Sequence, residues 1–379
     1  MNLILVLLAL LVIGGAVFLL FFQERMVYSS DGVRFELPWS KPAATQDQAP
    51  ETPSEDAAQP EGGAGKADGA VTPDTAAQEP ALAVSATPRL LEIPADKLGD
   101  AAYLAQVQAL HAQGAINGAA IVVKDPAGAL AWKSAFPGVQ DTSVVSGADD
   151  ALPAAVKTLQ ADGLSVTAVL YAYEDDLYAA QDASAALKRV GTSGNAWRTP
   201  EGARRLDPAS DAANAYLTAL VQELSEMGFN EVVLRGFGWP AEGTGRLDRV
   251  SYGSYKDAAA RSARLVETLG AWKTAAGEME VSVCVDDPAA ENGVNEGSGQ
   301  DLGALAQAAA RIYVPMVVQT ATSGDSIRTI VGRVPGTDVS RLVPIYSSKE
   351  LAEDLFADSH AMYFSPSETG GDLSAYLKQ

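Results

Sequence analysis

The chain has 379 residues, a net charge of −21, one cysteine and two histidines. Acid spread this widely argues against a nucleic-acid partner, because phosphate binding needs basic stripes. A lone thiol, Cys284, with His111 and His360 makes neither a disulfide nor a histidine-based metal site, and no metal or other cofactor is expected.

Residues 1–25 read as a transmembrane anchor. Asn2 to Phe22 is apolar apart from Asn2 and the Gly14-Gly15 pair, and about 20 such residues cross a bilayer core as a helix. A cleaved signal peptide would want a basic start and a small-residue cleavage site. The stretch Phe21-Phe22-Gln23-Glu24-Arg25 offers a poor one. Few charges flank the run, so lysine and arginine bias barely orients it. The acidity of the body and its single cysteine favour a single-pass cell-membrane protein with an extracytoplasmic body. Residues 26–40 form a juxtamembrane segment in which Val33 to Leu37 (VRFEL) alternates like a brief strand. Residues 41–88 are Ala, Pro, Gly and acids with almost no large apolar side chain. Such a segment cannot bury enough surface to offset the entropy of ordering, and a disordered linker is expected.

Residues 89–379 have the length of one α/β barrel. Eight short apolar runs read as strands: Leu90–Ile93, Ala119–Val123, Ser165–Tyr173, Glu231–Leu234, Val281–Val285, Ile312–Val318, Leu342–Tyr346 and Ala361–Phe364. Helical periodicity lies between most of them, at Asp100–Gln113, Leu152–Gln160, Asp211–Met227, Tyr255–Ala276 and Lys349–Phe356. Alternating strand and helix predicts a parallel sheet, and eight repeats predict closure into a (β/α)8 TIM-like barrel. Val318–Ser340 lacks a convincing helix and only a short tail follows the last strand, so the barrel is expected to be irregular at its C-terminal end. An open, doubly wound sheet is the alternative.

Barrel chemistry sits at the carboxyl ends of strands and in the loops after them. Those positions hold Glu92, Lys124-Asp125, Glu174-Asp175-Asp176, Arg235, Asp286-Asp287, Gln319, Tyr346 and Ser365. Acids there are the raw material of glycoside hydrolysis, which needs one protonated carboxyl and one carboxylate. They are equally the stuff of helix caps and solvated loops. The Gly-rich Gly236–Gly245 and Glu291–Gly299 read as loops with no phosphate-cradle context, and Gly191–Gly202 as a mobile loop.

Two stretches, Ile116 to Ser134 (INGAAIVVKDPAGALAWKS) and Asp207 to Pro240, resemble a family of bacterial putative glycoside hydrolases, barrel proteins once catalogued as a domain of unknown function. The matches are Lys124, Asp125 and Gly128, then Asp207-Pro208 and Tyr216, then Gly228, Phe229, Glu231, Val232 and Pro240. The resemblance implies a carbohydrate-directed TIM barrel. It also exposes departures. Val122 replaces an acid of the second-strand motif, and Arg235 replaces the acid that ends the fourth strand, with Gly236 and Gly238 beside it. Arginine stays protonated and cannot act as general acid, base or nucleophile.

Three readings follow. The first is a degenerate barrel, a pseudoenzyme that binds a glycan or cell-wall polysaccharide in the cell envelope. There Lys124, Arg235, Trp239 and Tyr173 would contact ligand; alternatively, Arg235 would pair with Asp125 or Asp286 as a structural ion pair at the barrel mouth. The second is an active glycosidase using Asp125 with Asp286 or Glu174. The third is a non-catalytic protein-interaction module.

Overall fold

The computed structural model describes residues 87–139, 144–145, 147–192, 194–241, 244–315, 341–346, 361–365 and 373, with the backbone of 26–29 and 32–35. The anchor expected over 1–25, most of the linker, the helix expected at 349–356 and Gln319 lie outside these residues. Among the described residues no helix is long and apolar enough to cross a membrane.

Met26–Ser29 pairs antiparallel with Gly32–Phe35, so the strand expected in the juxtamembrane segment is one arm of a hairpin. That hairpin belongs to one compact unit, and the barrel to another spanning Glu79–Gln379.

The eight runs all form strands: β1 (Arg89–Ile93), β2 (Gly118–Lys124), β3 (Ser165–Tyr171), β4 (Glu231–Arg235), β5 (Glu280–Cys284), β6 (Ile312–Pro315), β7 (Leu342–Tyr346) and β8 (Met362–Phe364). They close into a barrel in the order β6-β7-β8-β1-β2-β3-β4-β5, every pair parallel. Closure rules out the open sheet. It also removes the free edges that a parallel sheet would otherwise expose.

Both faces of the strands are covered, which is why their sequences read as continuous apolar runs rather than alternations. Leu90, Ala120, Val169, Val233, Cys284, Tyr313, Val343 and Tyr363 fill the interior. The alternate residues, such as Leu91, Ile121, Ala168, Val232 and Val283, pack outward in the larger core that includes the helices. The helices are α1 (Ala101–Ala112), α2 (Ala148–Ala161), α3 (Asp176–Gln181), α4 (Asp211–Glu226), α5 (Ala258–Ala276), α6 (Asp287–Asn292) and α7 (Leu302–Ala308). Side-chain caps fix several starts: Asp100, Ser210, Asp257 and Asp301 each accept from backbone amides of the first turn. Helix α2 begins at Ala148, one turn before the sequence suggests, because Pro153 is tolerated inside it and disguises the true start as a boundary.

Candidate functional site

At the carboxyl end of the barrel, the first polar assembly grows from an irregularity in β2. Its register against β3 shifts between Val122 and Lys124, and a bulge of this kind re-aims the side chain beyond it. Lys124 is fully buried as a result. Its ammonium donates to the carbonyls of Tyr171 (2.6 Å) and Glu174 (2.9 Å) and lies 3.0 Å from Asp175 Oδ2. Three donors meet three acceptors, so the charge is satisfied without water.

Asp175 is equally buried. It accepts from the Tyr178 amide (2.7 Å), capping α3, and from the Tyr216 hydroxyl (3.3 Å). Gly128 presses against it. A Cβ at Gly128, whose φ is +100°, would stand 2.1 Å from Asp175 Oδ1. Asp125 turns back on its own loop, where its Oδ1 accepts from the amides of Ala127 (2.9 Å) and Ala129 (2.8 Å).

The second assembly crosses the mouth. Arg235 and Tyr171 are register partners on β4 and β3, both on the interior face. An Arg235 Nη donates to the Tyr171 hydroxyl (3.0 Å), and the other lies 3.3 Å from Glu92 Oε2 on β1. The guanidinium carbon sits 5.1 Å from the ring centre of Tyr363 and 5.7 Å from that of Tyr171, within the range of cation–π attraction. Burial alone would lower the Arg235 pKa. The surrounding Tyr363, Cys284, Glu92 and Tyr171 groups prevail and hold it well above its ordinary value. Glu92 accepts two further hydrogen bonds, from the hydroxyls of Tyr363 and Ser365, the latter at 2.9 Å. Its carboxylate is therefore clamped from three sides.

Glu174 and Asp286 are also engaged. Glu174 pairs with Arg205 at 3.0 Å and lies against Gly236, where a Cβ would come within 2.9 Å of it. At Asp286 the amide donates to Gln300 Oε1 (2.7 Å), and Oδ2 accepts from Asn295 at 3.5 Å. Among the described residues no group of three or more His, Cys, Asp and Glu side chains gathers as metal ligands would.

Three expectations are corrected by this geometry. Arg235 pairs with Glu92, not with Asp125 or Asp286, because alternation along β1 and β4 aims Glu92 and Arg235 into the barrel while Asp125 is spent on its own turn. Tyr173 and Trp239, expected to contact ligand, face no open space. Tyr173 is wholly buried, stacks 5.8 Å from Phe237, and donates its hydroxyl to Asn214 (2.8 Å). Trp239 is buried against Tyr255 and Tyr252. Lys124 holds the loop after β3 and faces no open space. In the segment expected to be mobile, Trp197 is anchored in the core, with its Nε1 donating to the Arg246 carbonyl (3.1 Å).

Residues 91–319 match the family described as "Putative glycosyl hydrolase domain". The chain belongs to that family. No curated protein matches it. Solved structures similar to it include a hypothetical protein from Ruminiclostridium thermocellum, at 20% identity and TM-score 0.45, over 51% of this chain and 96% of that one. The glycoside hydrolase domain of PelA from Pseudomonas aeruginosa is 14% identical with a TM-score of 0.41, over 73% of this chain and 94% of that one. The beta-galactosidase from Bacillus circulans sp. alkalophilus is 9% identical with a TM-score of 0.48, over 74% of this chain and 50% of that one.

Placed on this barrel, the residues that carry the family resemblance prove to be largely architectural. Lys124, Gly128 and Tyr216 all converge on Asp175. Glu231 lies at the start of β4, on the barrel floor, where it accepts from Ser282 (2.5 Å) and Tyr313 (3.0 Å) and pairs with Arg311 at 3.1 Å. Burial pushes the Glu231 carboxyl up, against the pull of Arg311, Ser282 and Tyr313. Because that pKa is raised in the fold, the folded chain holds more protons than the unfolded one just above the usual carboxylate range, and stability falls as pH rises through this window. The variant Glu231→Gln should flatten that part of the stability–pH curve, measured by urea unfolding across pH. An unchanged slope contradicts the assignment.

Sequence reasoning underweighted Glu92 and Asp175, which organise the two assemblies. Their signal was present: a lone acid in an apolar barrel strand, and the middle acid of a Glu-Asp-Asp turn.

Proposed function

We propose that this chain is a glycan-binding pseudoenzyme of the glycosyl hydrolase family, carried at the outer face of the cell membrane by its N-terminal apolar segment. The observation that carries the reading is the Glu92–Arg235 pair at the mouth. Where the family resemblance implies a carboxyl at the end of β4, this chain has a permanent cation, and that cation holds the carboxylate of β1. Glycoside hydrolysis needs two carboxyl groups free to exchange protons or attack. Glu92 is held by Arg235, Tyr363 and Ser365, Glu174 by Arg205, and Asp125 by backbone amides. Binding asks less. A guanidinium presents a planar fork of donors to sugar hydroxyls without changing its protonation.

The full chain, purified in detergent, is expected to be retained by at least one member of a panel of peptidoglycan and neutral and acidic polysaccharides. Retention by none of them, in a folded preparation, would leave a protein-interaction module as the better reading.

A further inference from the structure

Beside the mouth lies a cavity of about 330 Å³, formed between the loop after β3 and the segment that runs from Thr199 to Arg205. Its wall includes Glu174, Glu201, Arg204, Arg205, Thr199 and Pro200. This size stands at the small end of ligand sites and suits a sugar unit rather than a long chain.

Both guanidiniums in the wall are already matched, and Glu201, exposed at the rim, adds a further carboxylate. Arg205 lies 3.0 Å from Glu174, and Arg204 lies 3.0 Å from Asp176. An anionic ligand would have to draw a guanidinium from its carboxylate and would also meet the Glu201 carboxylate. A neutral ligand with many hydroxyls faces neither cost, since each hydroxyl both donates and accepts. It can use the spare lone pairs of the carboxylates and the spare N–H groups of the guanidiniums while the pairs stay intact. Pro200 adds apolar surface for the C–H face of a ring.

We propose that this cavity is a subsite for a neutral sugar unit, set to one side of the Glu92–Arg235 pair. It rests on the reading that the barrel binds a glycan, and it names the place and the sugar class. Unlike the mouth, the subsite owes its shape to the long segment between β3 and α4, so substitutions there should change affinity without touching the barrel strands.

The test titrates the full chain with oligosaccharides of glucose, galactose and N-acetylglucosamine, and with oligogalacturonate as the anionic counterpart. Ala203→Phe fills the cavity, and Glu201→Ala removes an exposed rim carboxylate as a milder second variant. At least one neutral oligosaccharide should bind, with Ala203→Phe raising its Kd by about tenfold or more and Glu201→Ala raising it less. Oligogalacturonate should bind more weakly than the neutral series. If Ala203→Phe fails to fold, the Glu201→Ala shift decides. Neutral binding that both variants leave at the wild-type Kd, yet Arg235→Met weakens, overturns the subsite and leaves the glycan-binding reading standing. Tighter binding of oligogalacturonate overturns the neutral class. Absence of binding by every sugar to the wild type overturns both readings together.

Discussion

Lys124→Met is expected to destabilise the barrel by about 3–5 kcal/mol, the usual cost of removing one partner from a fully buried ion pair. Neither Lys124 nor Asp175 has any exposed side-chain surface, so water cannot replace the lost ammonium. The variant would also leave the Tyr171 and Glu174 carbonyls without their shared donor. Asp175 would keep the Tyr178 amide and the Tyr216 hydroxyl, which bounds the loss. The double variant Lys124→Met with Asp175→Asn should recover part of it, because removing both charges abolishes the uncompensated one. Urea unfolding of the full chain reads both effects. A loss below about 1 kcal/mol for the single variant, the size of an exposed pair, would mean that the assembly does not hold the loop after β3.

Arg235→Met should cost about 2–4 kcal/mol, somewhat less than the Lys124 change. Glu92 and Arg235 keep a little side-chain exposure, at 9% and 15%, and Glu92 retains the hydroxyls of Tyr363 and Ser365. The loss includes the cation–π contacts with Tyr363 and Tyr171, worth about 0.5–2 kcal/mol in general. Pairing the change with Glu92→Gln should recover stability, since the neutral amide needs no cation. If Arg235→Met proves as stable as the wild type, the guanidinium is not the counter-ion of Glu92, and its place at the mouth needs another account.

These two variants also mark how far the sequence could be read. All eight strands and their parallel order were legible because they are short apolar runs, most of them separated by helical periods. Closure followed from their number. The family matches, Lys124 to Pro240, were legible as spacing. What they do was not. Lys124 looked like a residue at an open mouth, and only the shift in β2 register, which pairs it with the outward-packed Leu170, turns it onto Asp175. The partner of Arg235 was hidden because strands covered on both faces carry no polar alternation to reveal which residues point inward. Glu92 and Arg235 are far apart in sequence and meet only through closure of the barrel. Tyr173 and Trp239 misled for a related reason. Aromatic residues just after a strand suit a rim or a core equally, and here α4, α5 and the segment after β4 cover them.

Whether the mouth can break a glycosidic bond separates a pseudoenzyme from an enzyme. The direct measurement is release of reducing ends from any polysaccharide that the full chain retains, followed over a long incubation beside the variants Asp125→Asn and Glu174→Gln. Release at the buffer rate is expected for the wild type and both variants. Release well above buffer by the wild type, abolished by either substitution, would contradict the pseudoenzyme reading and make the chain an active glycosidase.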